Sequence, residues 1–105
     1  MIPQIQPADL KRMLDGGEPV LLLDVREPEE HAFCALPESV LIPLGELAAR
    51  VEEVQVHTPV VVYCHHGVRS LSGAAILRRA GVEAVSLAGG IDRWSATIDP
   101  SVPRY

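Results

Sequence analysis

Short apolar runs alternate along the chain with segments in which apolar residues recur every three or four positions. Four of these runs have the length of a single strand: Val20 to Asp24, Val40 to Ile42, Val60 to Tyr63 and Val82 to Leu87. A run without regular polar positions is typical of a strand that is covered on both faces. The pattern therefore predicts a sheet whose strands are buried between two layers.

The segments between the runs carry the helical period, and proline or glycine marks several of their ends. Five helices are predicted: from Pro7 to a stop at Gly16-Gly17, a short one from Pro28, from Leu44 to Val54, from Leu71 to a stop at Gly81, and from Ile91 to Ala96. Ser70 is the predicted N-cap of the fourth helix, because a serine oxygen accepts a hydrogen bond from a free N–H group of the first turn.

Predicted strands and helices follow one another along the chain. This alternation indicates an α/β fold with a mainly parallel sheet, in which ligands bind at the carboxyl ends of the strands. Proline and glycine are scattered rather than gathered in a linker, so we expect one domain to cover residues 1–105. Cys64 directly follows the run from Val60 to Tyr63 and is therefore placed at the carboxyl end of a strand.

Composition and charge narrow the class of protein. The chain has 105 residues, 48% of them hydrophobic, which suits one small globular domain. Its apolar runs fall far short of the roughly 20 residues that span a bilayer, and its first residues lack the features of a signal peptide. We therefore expect a cytoplasmic protein without a membrane segment. The formal net charge of −5 argues against sequence-independent binding to nucleic acid.

The loop that Cys64 opens has residue types suited to nucleophilic chemistry. It reads Cys64-His65-His66-Gly67-Val68-Arg69-Ser70. Between a strand and a helix, its N–H groups and the positive end of the helix would converge on the sulfur and favour the reactive thiolate. Gly67 allows the backbone to curl, and Arg69 adds a permanent cation for an anionic substrate. His65 and His66 offer hydrogen-bond donors at the rim of the loop.

Each of these residues also has a plainer interpretation, which the sequence leaves open. A free cysteine at a strand end is often a small buried hydrophobe, and Arg69 also suits a salt bridge with a surface carboxylate. His65 and His66 suggest a metal, but adjacent ligands in one tight loop argue against zinc. A bridge between Cys34 and Cys64 is disfavoured, because an intracellular chain usually keeps its thiols reduced and the spacing shows no disulfide-scaffold pattern. Cys34 is interpreted as a buried thiol, because nothing near it looks activating; resolving an oxidised or persulfidated Cys64 is its alternative role.

Four segments carry a family resemblance. They are Leu22 to Glu30, Ile42 to Leu47, Tyr63 to Ser70 and Leu87 to Trp94. In this order they resemble the signatures of the rhodanese-like sulfurtransferase domain, which implies a three-layer fold with a five-stranded, mainly parallel sheet between helices. The resemblance also implies that Cys64 forms a persulfide without a metal or organic cofactor. The residues implied to bind an anionic sulfur donor are His65, His66, Gly67, Val68, Arg69 and Ser70.

Two details refine the resemblance. Four residues separate Cys64 from Arg69, whereas related phosphatases and arsenate reductases place one more residue there, so the spacing favours sulfur transfer. The segment from Ile98 to Tyr105 is similar to the ends of rhodanese domains that are fused to adenylyltransferases of sulfur-carrier proteins. The implied protein partner is therefore a sulfur-carrier protein or an adenylyltransferase.

The expected function is transfer of sulfane sulfur from thiosulfate or a persulfide donor through a Cys64 persulfide to cyanide, a thiol or a sulfur-carrier protein. A second hypothesis is a docking or regulatory module with incidental turnover, motivated by the segment from Asp99 to Tyr105. A phosphatase or arsenate reductase is the third hypothesis.

Overall fold

Strands and helices alternate as predicted in a computed structural model that describes residues 1–54 and 57–105. The strands within these residues are β1 Gln4–Ile5, β2 Leu21–Asp24, β3 Val40–Leu41, β4 Val60–Tyr63 and β5 Ala84–Leu87. The helices are α1 Pro7–Asp15, α2 Pro28–Phe33, α3 Leu44–Leu47, a 3₁₀ helix at Ala48–Glu53, α4 Arg69–Arg79 and α5 Gly90–Thr97. No helix in this described part of the chain is long and apolar enough to cross a bilayer.

The strands form one sheet in the order β1-β5-β4-β2-β3, and the neighbouring pairs are parallel. Asp24 at the end of β2 lies opposite Tyr63 at the end of β4, and Val62 lies opposite Ser86 of β5. The loops that follow these three strands therefore leave the same edge of the sheet, where ligands bind in parallel α/β folds. The loop of Cys64 lies at the centre of this edge.

Two hydrophobic clusters cover the two faces of the sheet. Successive side chains of a strand point to opposite faces, so Val60 and Val62 belong to one cluster and Val61 and Tyr63 to the other. Side chains of α4, such as Leu77, complete the first cluster, and side chains of α1 and α5 complete the second. All four residues of β4 are buried. The prediction of a sheet covered on both faces is confirmed.

The apolar pattern does not predict β1, which completes the five strands of the sheet formed by the described residues. Two residues are too few to show a period, and Gln4 and Ile5 become a strand by pairing with Ser86 and Leu87 of β5. β5 itself begins at Ala84, two residues later than the pattern predicts. Strand ends thus depend on partners that are distant in the sequence.

The segment from Leu44 to Val54 is not the single amphipathic helix that its period predicts. A short α-helix, α3, is followed by a 3₁₀ helix in which Arg50 has a φ of −123°, outside the helical range. An apolar repeat at every third residue fits a 3₁₀ helix as well as an α-helix. The β-branched Val51 and Val54 also have low helix propensity. Of the predicted apolar face, Leu47 and Val54 are buried and Leu44 and Val51 are partly buried, but Ala48 is exposed. The period therefore predicted most of the inward positions but not the type of helix.

Candidate active site

The side chain of Cys64 lies within the loop between β4 and α4, and the residue is 1% exposed. The backbone N–H groups of Gly67 and Ser70 donate hydrogen bonds to its Sγ at 3.2 and 3.3 Å. Gly67 reaches this position with a φ of +93°, a backbone conformation that residues with a side chain rarely adopt. Donors at a helix start stabilise negative charge on sulfur. The predicted convergence of N–H groups on Cys64 is confirmed, and its role as a nucleophile stays a prediction.

The first turn of α5 is hydrogen-bonded to the backbone of the same loop. The N–H groups of Ile91 and Asp92 donate to the carbonyl oxygens of Cys64 and His65 at 2.9 and 3.0 Å. This close approach requires glycine at position 90, because a Cβ atom on Gly90 would lie 2.5 Å from the carbonyl oxygen of Cys64. The loop carbonyls are thereby bound by α5, while N–H groups of the loop face the sulfur.

Ser70 is not the N-cap of α4, contrary to the prediction. The helix begins at Arg69 with Val68 in the N-cap position, because the buried hydroxyl of Ser70 is engaged elsewhere. It lies 2.7 Å from the hydroxyl of Ser86 and 3.4 Å from Sγ of Cys64. The sequence interpretation missed Ser86 as a neighbour of the site. A lone polar residue within the apolar run of β5 is the signal that could have found it.

Arg69 forms a bidentate salt bridge with Glu30 of α2. Its terminal nitrogens lie 2.7 and 2.9 Å from the two carboxylate oxygens. Hydrogen bonding by Arg69 lowers the pKa of Glu30 from 4.5 to about 2, so the pair is ionised at neutral pH. The plainer interpretation of Arg69, a salt bridge with a carboxylate, is therefore confirmed. Contact of Arg69 with a substrate stays a prediction.

His65 and His66 form the rim of the loop. The ring of His65 is stacked between those of His66 and Tyr105, at centroid distances of 3.8 and 3.7 Å. Burial, together with the nearby His66, lowers the pKa of His65, which favours the neutral ring. Ligand atoms of both histidines and of Asp92 lie within 4.8 Å of one another. However, Asp92 also accepts two hydrogen bonds from Arg104, so this donor set suits a metal ion poorly.

Tyr105 reaches the site from the far end of the sequence, a placement that the hydrophobic pattern does not predict. Its hydroxyl donates to Oε2 of Glu30 at 2.6 Å and accepts a hydrogen bond from Arg26 at 2.9 Å. Its ring and that of Phe33 form a T-shaped pair with a centroid distance of 5.8 Å. The signal in the sequence is the similarity of residues 98–105 to the ends of related domains. This similarity indicates that the segment matters, but it does not predict where the segment lies in the fold.

Cys34 is a buried free thiol, as expected. Arg26 donates to the carbonyl oxygen of Cys34 at 2.6 Å, and its guanidinium lies 4.0 Å from Sγ of Cys34. This cation contacts Cys34 across the fold rather than from a neighbouring position in the sequence, and it is paired with Asp24. Cys34 and Cys64 are free thiols in different hydrophobic clusters, on opposite faces of the sheet. This placement disfavours direct exchange between the two sulfur atoms.

Comparison with known proteins agrees with this geometry. Residues 6–97 match the family model of the rhodanese-like domain. The fold is similar to the crystal structure of a rhodanese-related protein from Thermoplasma volcanium, with a TM-score of 0.86 and 31% sequence identity. That similarity covers 98% of this chain and 99% of the other. The five-stranded parallel sheet flanked by helices is thus shared with a solved relative.

Two curated relatives represent different chain lengths. The putative sulfurtransferase YtwF of Bacillus subtilis is 31% identical over 99 residues, which cover 94% of this chain and 96% of YtwF. The probable adenylyltransferase/sulfurtransferase MoeZ of Mycobacterium tuberculosis is 35% identical in an alignment of 107 positions that covers 96% of this chain and 26% of MoeZ. The chain thus spans about a quarter of MoeZ but nearly all of YtwF. Because the family model and these relatives each match most of its length, the chain belongs to the rhodanese-like domain family.

Proposed function

We propose that the protein is a sulfurtransferase in which Cys64 carries the transferred sulfur as a persulfide. The observation that supports this most strongly is the pair of backbone N–H groups that donate to Sγ of Cys64. They stabilise the charge that the sulfur carries before the attack and regains when the persulfide is unloaded. Similarity to YtwF, named a putative sulfurtransferase, over nearly the whole of both chains supports the same reaction class.

In the first step, the Cys64 thiolate attacks the outer sulfur of thiosulfate. A bond forms between Sγ and that sulfur while the sulfur–sulfur bond of thiosulfate breaks, and sulfite leaves with the bonding electron pair. A persulfide donor reacts in the same way and releases a thiolate. Sulfur moves between thiophilic atoms in this step, so no external oxidant or reductant is consumed.

In the second step, a nucleophilic acceptor attacks the outer sulfur of the Cys64 persulfide. The acceptor gains the sulfur, and Cys64 leaves as a thiolate with the electron pair of the broken bond. Cyanide becomes thiocyanate, and a thiolate becomes a persulfide. The leaving Cys64 thiolate is stabilised by the N–H groups that activated it, so one arrangement serves both steps.

Arg69 is proposed to orient an anionic donor at the mouth of the loop. A guanidinium has five N–H groups, and the salt bridge with Glu30 uses two of them. The Arg69 side chain is 35% exposed, so the remaining donors are accessible. His65, His66 and the backbone from Gly67 onward complete the proposed donor-binding surface.

A sulfur-carrier protein or its adenylyltransferase is the proposed protein partner. This proposal draws on the similarity to MoeZ, whose name joins an adenylyltransferase and a sulfurtransferase. It also draws on the segment from Ile98 to Tyr105, which resembles the ends of such fused domains and contacts the loop of Cys64 through Tyr105. The partner would supply sulfur to Cys64 or receive sulfur from it.

Intact-mass measurement after incubation with thiosulfate or a small persulfide tests the sulfur transfer. The protein should gain one sulfur atom, which cyanide should remove as thiocyanate. Cys64→Ser should gain none, whereas Cys34→Ser, the matched control, should be loaded like the parent. Loading of Cys64→Ser, or no loading of the parent by either donor, would contradict the proposal.

Docking of a sulfur-carrier protein without transfer is a second candidate function, favoured by apolar side chains around the loop. Phe33, Val68 and Tyr105 are 56%, 73% and 43% exposed, and exposed apolar groups of this kind often contact a partner. Capture of the carrier by the parent and by Cys64→Ser alike, with no sulfur loading of the parent, would support docking. Val68→Asp should then weaken capture, because it places a charge in the contact.

A further inference from the structure

Tyr105 is tied to the Cys64 site by its ring and by its hydroxyl. The ring lies parallel to that of His65, with 5° between the planes and 3.7 Å between the centroids. The hydroxyl joins Glu30 and Arg26, at 2.6 and 2.9 Å. These partners come from the loop, from α2 and from the residues after β2, so one side chain connects three parts of the fold at the mouth of the site.

We propose that Tyr105 is a positioning residue of the Cys64 site: its ring holds His65 at the rim, and its hydroxyl holds the carboxylate that binds Arg69. This role rests on the proposed function, since the residues that Tyr105 positions are those that would receive the sulfur donor. Tyr105 touches neither the sulfur nor the donor in this role and acts through its neighbours.

The fold determines which group accepts the proton of the Tyr105 hydroxyl. Arg26 donates to the phenolic oxygen, and because arginine has no acceptor, the phenolic proton is left for Glu30. Arg26 is fixed in turn by Asp24, and both of these side chains are fully buried. Burial raises the pKa of Tyr105 to about 12, so its hydroxyl remains a donor at neutral pH. Glu30 is thereby held by Tyr105 and by Arg69 together.

The ring of Tyr105 covers one face of His65, and His66 covers the other. Burial is the main cause that lowers the pKa of His65, and the tyrosine ring supplies part of that burial. The stack therefore keeps the imidazole neutral and in one orientation beside the loop of Cys64. Removing the ring would open one face of His65 to water.

The segment that carries Tyr105 is anchored on α5 independently of the tyrosine. Arg104 forms two hydrogen bonds with Asp92, at 3.0 and 3.1 Å. The hydroxyl of Ser95 donates to the carbonyl oxygen of Val102 at 2.6 Å. Substituting Tyr105 should therefore leave the segment in place, so the effect of the variant reports on the side chain.

Two substitutions separate the hydroxyl from the ring, with thiosulfate as donor and cyanide as acceptor. Tyr105→Phe should raise the KM for thiosulfate about tenfold, as expected for a lost hydrogen bond to a charged group, and should change kcat less. Tyr105→Ala should raise the KM further. Ser101→Ala is the control in the same segment, because its bonds reach only Asp99 among the described residues, and its kinetics should match the parent. A kcat/KM of Tyr105→Ala equal to that of the parent would overturn the positioning role.

Two further measurements do not depend on sulfur transfer. The rate of Cys64 alkylation by iodoacetate relative to iodoacetamide, read from the Cys64 peptide by mass spectrometry, reports how well Arg69 guides an anion. This ratio should fall in Tyr105→Phe. The pKa of His65, followed by NMR titration, should rise in Tyr105→Ala and stay unchanged in Tyr105→Phe.

The outcomes distinguish this inference from the proposed function. An unchanged alkylation ratio and an unchanged His65 titration in Tyr105→Ala would overturn the positioning role, whether or not the parent transfers sulfur. A parent that no sulfur donor loads, but in which the ratio and the titration respond to Tyr105 as expected, would overturn the proposed function and keep the positioning role.

Discussion

The two cysteines of the protein are both buried and both free, yet different groups surround their sulfur atoms. Sγ of Cys64 accepts hydrogen bonds from the N–H groups of Gly67 and Ser70. Sγ of Cys34 lies 4.0 Å from the guanidinium of Arg26 and donates to the carbonyl oxygen of Pro103 at 3.5 Å. Sγ of Cys64 also has an acceptor, the hydroxyl of Ser70 at 3.4 Å, so each sulfur has both a donor and an acceptor beside it. Among the described residues, backbone N–H groups surround only the sulfur of Cys64, and such groups stabilise negative charge on a nearby atom. Burial is therefore common to both cysteines, and the backbone donors distinguish Cys64.

The cations beside the two cysteines differ in a related way. Arg26 lies 4.0 Å from Sγ of Cys34, but it is fully buried together with Asp24, which neutralises it. Arg69 in the Cys64 loop is also paired, with Glu30, but its side chain is 35% exposed. A cation enclosed with its carboxylate is already neutralised and has no capacity for a substrate. A partly exposed cation keeps donors for an incoming anion.

Alkylation by iodoacetamide should separate the two cysteines by the widest margin. Cys64 should react about 100-fold faster than Cys34, because two backbone N–H groups face its sulfur and stabilise negative charge there. The two rates are measured on the same protein by mass spectrometry of the two cysteine-containing peptides. Equal rates would show that the backbone N–H groups beside Cys64 do not control the reactivity of these thiols.

Gly90→Ala should impair the reactivity of Cys64 and leave the reactivity of Cys34 unchanged. The added Cβ would lie 2.5 Å from the carbonyl oxygen of Cys64. The loop must therefore shift, and its N–H groups would no longer point at the sulfur of Cys64. We expect the kcat/KM for sulfur transfer to fall on the order of tenfold or more, and the free energy of unfolding to fall by about 1–3 kcal/mol.

Gly81→Ala is the matched control for this substitution. Gly81 has a φ of +85°, and no atom of the described residues lies within 4 Å of its added Cβ. The control therefore carries backbone strain without a clash, and it should lower stability while retaining activity. Denaturant titration and the sulfur-transfer assay measure the two effects. Equal activity in both alanine variants would contradict the role of the close contact between α5 and the loop.

Substitution of Glu30 should have the smallest effect of the three, and this effect on stability should appear at acidic pH. Its pKa in the folded protein is about 2, below the ordinary 4.5, because Arg69 hydrogen-bonds its carboxylate. A lowered pKa means that the pair stabilises the fold fully above about pH 4.5 and loses that contribution as the pH falls toward about 2. Glu30→Gln should therefore lose less stability than the parent over this range.

Denaturant titrations at several pH values measure this difference. Glu29→Gln is the control, because Glu29 is an exposed residue of the same helix. It should keep the acid dependence of the parent. Parallel curves for the parent and Glu30→Gln would show that the salt bridge with Arg69 contributes nothing to stability.

The core of the site could be predicted because its parts are neighbours in the sequence. Cys64 ends an apolar run, Gly67 follows within the loop and α4 begins at Arg69. Local geometry then brings the N–H groups toward the sulfur, and Gly90 of α5 allows the loop to keep this arrangement. The buried faces of β4 are equally local, because a continuous apolar run reports burial on both sides of a sheet.

The partners of the site depend on the fold instead. Ser86 meets Ser70 across 16 residues of sequence, Arg69 meets Glu30 across 39, and Tyr105 meets Glu30 across 75. Hydrophobic periodicity indicates which positions are buried, but it carries no information on which polar side chains become neighbours once the strands have paired. The apolar runs and the cysteine loop therefore suffice to predict a parallel α/β sheet and to indicate Cys64 as the candidate nucleophile. The order of the strands, which brings α2 and the segment of Tyr105 to one edge of the sheet, determines what surrounds them.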